Sequence, residues 1–203
     1  MGRSVGWELY EILYPAGTST PYDFVSICHA KAWSAFEPMR TAQSDIAKKV
    51  LNKEQLAMYD KADQLREVTA MEIWEVEDAF AKSAASPPRY HVANFMKVTE
   101  GKWEEYLSME KQLVRPIHEE HMKIGGRAGW GLYIKRQPGG AEVPYQAATF
   151  DFYDRWENME DLNVSNLWVQ IHPGKSPEYI DRQITTSRTL LRQEVRVLVD
   201  YLK

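Results

Sequence analysis

Residues 6–22 read GWELYEILYPAGTSTPY, and residues 129–145 read GWGLYIKRQPGGAEVPY. The chain says nearly the same thing twice, and that coincidence decides the reading of the fold. Slid by 123 positions without gaps, residues 5–39 match residues 128–162 at ten of 35 positions. The matches are Gly6/Gly129, Trp7/Trp130, Leu9/Leu132, Tyr10/Tyr133, Pro15/Pro138, Gly17/Gly140, Pro21/Pro144, Tyr22/Tyr145, Trp33/Trp156 and Glu37/Glu160. Core constraints explain matched strand residues. They do not place two prolines and a glycine in a connecting loop, so duplication is the better reading. The register returns with an offset of 122, where residues 66–80 align with 188–202 and Arg66/Arg188, Glu72/Glu194 and Asp78/Asp200 coincide.

The second copy reads as complete. Residues 89–98, RYHVANFMKV, alternate as a strand does. Trp103, Tyr106, Leu107, Leu113, Val114, Ile117 and His121 follow at helical spacing, and Gly125-Gly126 ends the helix. Pro116 lies inside it and predicts a bend near Val114–Arg115. AGWGLYIKR (128–136) and YQAATFDFYD (145–154) make a hairpin around QPGGAEVP. WENMEDL (156–162) reads as a short helix. Residues 176–191 read as a longer one, with Ser176 as N-cap and Pro177 at the first helical position. EVRVLVDYL (194–202) closes the unit as a strand.

That order, β-α-β-β-α-β, is the ferredoxin-like pattern: one antiparallel sheet with helices on one face. The other face is bare and must be buried, and in a duplicated chain the two bare faces are expected to meet. The first copy supplies a hairpin (5–14 and 22–30), helical segments (31–66) and a closing strand (70–80). Asn52 and Gln55 have capping-box spacing in its second helix. AKSAASPP (81–88) links the copies. The fold class is therefore α+β, as tandem ferredoxin-like repeats: residues 1–82 an incomplete first repeat, 83–88 a linker, 89–203 a complete second repeat. Met1-Gly2-Arg3 falls where Gly125-Gly126-Arg127 falls, so the first repeat lacks its first strand and helix. In the spatial order 4-1-3-2 that strand is central. The expectation is an ancestral gene with about 50–90 further residues upstream, the present chain then being a fragment, a misplaced start or a truncation repaired by a partner strand.

Composition bounds the function. Hydrophobic residues are 44% and charged residues 27%, as in an ordinary globular protein, and the length suffices for a real core. Seven Trp and 11 Tyr suit thick cores, interfaces or flat ligands. The net charge of −4 and the absence of any basic cluster beyond Lys48-Lys49 and Lys135-Arg136 argue against nucleic acid as a partner. The single cysteine, Cys28, rules out an intrachain disulfide and reads as a buried, inert thiol. No apolar run approaches the roughly 18 residues of a membrane span. No signal peptide precedes the strand signal at Val5. Localisation is otherwise unassigned.

The stretches YHVANFMKV, PIHEEHMKIGG, GWGLYI and VPYQAATFDFYD together resemble the dimeric α/β-barrel superfamily. The flavour is closest to NIPSNAP-like and EthD-like members and to uncharacterised bacterial tandem proteins. The likeness covers residues 88–203 well and 5–80 in part. It implies an α/β barrel and a homodimer, and a choice of activities: cofactor-free or haem-using monooxygenation, isomerisation, or none. Haem-degrading members use an Asn, a Trp and a His. Asn94 and Trp156 match two of these in kind, but His172 lies too far along, and the triad is not carried over.

Several residues carry candidate chemistry. His118 and His121, in HEEH, lie one turn apart on a helix beside Glu119 and Glu120. That spacing can bind a metal or place a general base, but no third ligand is evident and a packing role at the helix edge competes with both. They stand with Asn94 as weak catalytic candidates. Tyr10 and Tyr133 occupy equivalent strand positions, and with Trp130 they are the candidate ligand pocket, suited to a flat apolar molecule. The competing reading is that repeated aromatics pack a repeated core. Arg66/Arg188 and Glu72/Glu194 read as structural ion pairs, and AKKVLNKEQ as a solvated helix face. No metal is assigned, and no cofactor is required, though haem is compatible with the resemblance. The functional expectation is a barrel that binds a small apolar or aromatic molecule between its sheets, as a monooxygenase or isomerase. The alternative is a non-catalytic oligomeric scaffold with a filled barrel.

Overall fold

A computed structural model describes residues 4–16, 21–83, 86–160 and 164–202. The alignment of Met1–Arg3 with 125–127, the loop residue Gly17, the middle of the linker at 84–85 and the end of WENMEDL lie outside the described residues. Seven strands form: β1 (Ser4–Tyr14), β2 (Phe24–Ala30), β3 (Ile73–Ala81), β4 (Tyr90–Val98), β5 (Gly129–Gln137), β6 (Ala147–Tyr153) and β7 (Arg188–Leu202). The helices are α1 (Phe36–Val50), α2 (Lys53–Leu65), α3 (Trp103–Met109), α4 (Arg115–Lys123), α5 (Val164–Ile171) and α6 (Pro177–Ser187).

All seven strands join one antiparallel sheet in the order β2-β1-β7-β4-β6-β5-β3. This corrects the expectation that two bare faces would pack as separate sheets. The halves join edge to edge instead, β1 on β7 and β3 on β5. The physical reason is hydrogen bonding: an unpaired strand edge carries a row of unsatisfied N–H and C=O groups, and edge pairing satisfies them. The sheet then curls into a half-barrel, so that Tyr10 on β1 reaches His91 on β4 across the intervening β7. Residues 90–202 show the strand order of a ferredoxin-like unit, β7-β4-β6-β5. Both hairpins turn at a proline, and the peptide bonds before Pro15 and Pro138 are cis.

The core lies between the second half's helices and its strands. Met96 and Val98 on β4, Trp130, Leu132 and Ile134 on β5, and Ala147 on β6 pack against Tyr106, Met109, Leu113, Val114 and Trp168. Their period of two puts them on one sheet face. Trp130 is completely buried there. The bend at Pro116 takes a particular form. Residues Glu110–Val114 make one wide turn between α3 and α4, and the Arg115 N–H donates to the Glu110 carbonyl five residues back. The regular ladder is already interrupted there, so a proline without an N–H is accommodated just after it.

Three local expectations shift. WENMEDL is only a tight turn over Trp156–Met159, and the helix in this region is α5, further along. The helix opened by Ser176 ends at Ser187 rather than 191, because Arg188–Leu190 pair with Met96–Val98 and extend β7. Cys28 is exposed rather than buried, on edge strand β2. The capping box forms as read: the Asn52 side chain accepts from the Gln55 N–H, and the Gln55 side chain accepts from the Asn52 N–H.

Candidate functional site on the concave face

Alternation assigns every strand side chain to one of two faces. On β4, Met96 and Val98 belong to the helix face, so His91, Ala93 and Phe95 belong to the concave face. Tyr10 on β1, Tyr133 on β5, Phe150 and Phe152 on β6, and Glu194 and Arg196 on β7 join them there.

At one end of this face the Tyr10 hydroxyl lies 2.9 Å from Glu8 Oε2 and 2.9 Å from His91 Nε2. Burial pushes the Glu8 carboxyl up, but hydrogen bonds from His29 and Tyr10 outweigh it and hold the group below its ordinary value. Glu8 is therefore a carboxylate and accepts the Tyr10 proton. His91 must then present Nε2–H to the Tyr10 oxygen, which leaves its Nδ1 as a bare acceptor. Burial pulls His91 down to about 3, so the ring is neutral at neutral pH. Its Nδ1 is buried and has no partner among the described residues. The ring lies against Tyr10 at 4.2 Å and Phe152 at 4.6 Å between centroids. Burial also raises the Tyr10 hydroxyl well above the ordinary range.

Opposite stands Tyr133, whose ring packs edge-on to Phe150. It lies over Gly131, where a Cβ would come within 2.6 Å of the ring, so glycine makes room for it. Burial, with a smaller push from Glu8, raises Tyr133 to about 12. Beneath these groups Arg196 donates twice to Glu194 Oε2 and stacks over Phe95 and Phe150. Glu194 also accepts from Tyr22 at 2.6 Å and forms an ion pair with Arg192 at 2.5 Å. A fully buried carboxylate is tolerable only when compensated in this way. The far end of the face holds Trp74 stacked on Tyr145, with Lys135 over Tyr145 and paired to Glu72.

The sheet divides the residues singled out from sequence. Tyr10 and Tyr133 share the concave face, whereas Trp130 faces the helices and packs near Phe80 and His118. Asn94 also faces the helices. Its amide donates to Thr149 and Asp151, and its oxygen accepts from Gln193. His118 lies 4.0 Å from Asp151, and burial pulls it down to about 3. His121 is buried beneath Gly126, where a Cβ would stand 1.9 Å from its ring. None of these three reaches the concave face. The haem-type trio does not converge either. Trp156 lies at the rim against Tyr14 and Tyr90, His172 bonds the Leu113 carbonyl, and the Asn94 amide is fully engaged. Those residues do not fit haem. Among the described residues no three His, Cys, Asp or Glu side chains gather around a point.

Sequence reading missed Glu8, His91 and Arg196, and took Glu194 only as a structural ion pair. Their signal was alternation: Glu8 is two residues from Tyr10, and Arg192, Glu194 and Arg196 alternate along β7. Glu194 pairs with Arg192 and Arg196, Glu72 with Lys135, and Arg188 with Glu110, so Arg188 and Glu194 form ion pairs as read from sequence, but not with each other.

The fold is thus an α+β half-barrel whose concave face is aromatic and hydrogen-bonding. No protein-family model matches the sequence, and no curated protein does. Solved structures do. A Fusobacterium nucleatum protein titled "Putative monooxygenase" superposes with a TM-score of 0.58 at 10% identity, over 98% of this chain and 77% of that one. An anthrone oxidase-like protein superposes with a TM-score of 0.55 at 8% identity, over 98% of this chain and 78% of that one. At such identity the likeness is one of fold. Among the described residues no helix is long and apolar enough to cross a membrane.

Proposed function

We propose that the protein binds a small, flat aromatic molecule bearing a hydroxyl or enol on its concave face, between His91 and Tyr133. The observation that carries this reading is the bare His91 Nδ1, a buried acceptor with no protein partner. Leaving such a group unpaired costs about 1–3 kcal/mol, and a ligand O–H would recover it. The Tyr133 hydroxyl, which makes no hydrogen bond among the described residues, is a second point of contact. Phe150 and Phe152 supply flat walls, as small-molecule sites require.

The chemistry follows from the relay. A ligand hydroxyl that donates to the neutral Nδ1 gains electron density at its oxygen, and the Glu8 carboxylate, reached through Tyr10, strengthens that hydrogen bond. An electron-rich bound enol or phenol is the starting point for either cofactor-free oxygenation or isomerisation. The two structural neighbours named for oxygenases and oxidases agree with this reading in kind.

The second reading is a filled, non-catalytic barrel in a homo-oligomeric scaffold. It is favoured by the complete burial of Tyr10, Ala93 and Ala148 by the protein itself. Two measurements separate the readings: native mass spectrometry of protein purified from cells, and titration with anthrone followed by Trp fluorescence. A retained organic mass, or saturable anthrone binding lost in His91→Phe, supports the ligand reading. A bare chain mass with no saturable binding overturns it.

A further inference from the structure

We propose that the slot between β2 and β3 takes one further β-strand followed by an amphipathic helix, presented by a partner polypeptide and built like residues 89–124. The inference does not rest on the ligand reading.

The argument begins with sheet order. In the second half the fourth, first, third and second strands of the unit lie side by side as β7-β4-β6-β5. β1, β2 and β3 stand as the second, third and fourth strands of a like unit, the division the repeat suggests. Two such units joined edge to edge make a cycle of eight: β7, β4, β6, β5, β3, a missing strand, β2, β1, and back to β7. The observed order is that cycle with one member removed. β2 and β3 are therefore both edges, and each turns unpaired backbone toward the same gap.

Side chains agree. Tyr22, just ahead of β2, bonds Glu194, and Glu72, just ahead of β3, bonds Lys135 and Tyr145, so both edges close on one interior. Val76 on β3 points inward yet is 55% exposed, as expected beside an absent neighbour. The helices say the same. In the second half α3 packs on α6, and α4 on α5. Among the described residues no further helix packs on α1 and α2 in the same way, and Val50, Met58 and Leu65 are 69%, 68% and 77% exposed. An amphipathic helix following the added strand would cover such residues.

The geometry also sets direction and register. β4 runs antiparallel to both of its neighbours and places His91 between Phe152 and Arg196. Shifted by the repeat offsets, the corresponding position of the added strand lies between His29 and Trp74. The new strand runs antiparallel to β2 and β3.

The test uses the full chain and a synthetic peptide of residues 89–124. The expected result is a one-to-one complex by native mass spectrometry, with amide exchange slowed at least about tenfold over residues 24–30 and 73–79. A peptide carrying Val92→Pro and Asn94→Pro should neither bind nor protect, because proline cannot donate to a ladder. Three results overturn the proposal: no complex, equal binding of the proline peptide, or edge amides already protected in the chain alone through self-association.

Discussion

Replacing Glu110 by glutamine should change how stability depends on pH. Glu110 is 1% exposed in the wide turn between α3 and α4. Arg188 Nε is 3.3 Å from it, but neither carboxylate oxygen accepts a hydrogen bond among the described residues. Burial raises the group from 4.5 to about 7; Arg188 opposes the rise and Asp151 adds to it. A carboxyl raised on folding contributes stability that is fully present below 4.5 and is lost as pH climbs through about 7. A shift of this size is worth about 3 kcal/mol. Glutamine keeps the shape and cannot ionise. The quantity to measure is the unfolding free energy of Glu110→Gln minus that of the wild type, from urea titrations followed by Trp fluorescence between pH 4.5 and 8. That difference should rise by about 3 kcal/mol across the interval, and groups common to both proteins cancel. Glutamine also removes the Arg188 counter-charge, which offsets the curve but does not set its slope. Parallel curves for the two proteins would refute the reasoning.

Other perturbations test other parts of the molecule. Tyr10→Phe leaves His91 Nε2 and Glu8 without their shared hydroxyl; it should cost about 1–3 kcal/mol and raise the Glu8 carboxyl, as read by carbon NMR titration. His91 is pulled from 6.5 to about 3 by burial, so its neutral form supplies stability present above pH 6.5 and lost as pH falls toward 3. His91→Phe should flatten the acid limb of the stability curve by several kcal/mol. Gly129→Ala drives a Cβ to 2.6 Å from the Phe80 carbonyl oxygen and 2.8 Å from the Ala81 Cα, backbone atoms that cannot step aside. It should loosen β3 and destabilise by about 1–3 kcal/mol, with faster amide exchange confined to β3 and β5. Asn52→Ala removes the bond from the Gln55 N–H to the Asn52 side chain, one of the two bonds of the capping box, and should lower stability by about 1 kcal/mol, while leaving anthrone binding unchanged.

The hairpins, the order of elements in residues 89–203 and the Asn52 cap were legible in the sequence because each rests on short-range chemistry. A period of two marks a strand, a capping side chain reaches only three residues, and proline and glycine punctuate locally. Alternation even sorted Tyr10 and Tyr133 to the face opposite Trp7 and Trp130. It did not say which face would be concave, because that depends on where the helices dock. Asn94 looked like a site residue and His91 did not, yet they differ by an odd number of positions, and the sheet separates them completely. The same limit hid Glu8, Glu194 and Arg196, which come together from β1 and β7. Nor did the sequence reveal edge-to-edge joining. β1 meets β7 across nearly the whole chain, and only the competition for unsatisfied backbone hydrogen bonds in three dimensions selects that pairing over a face-to-face stack.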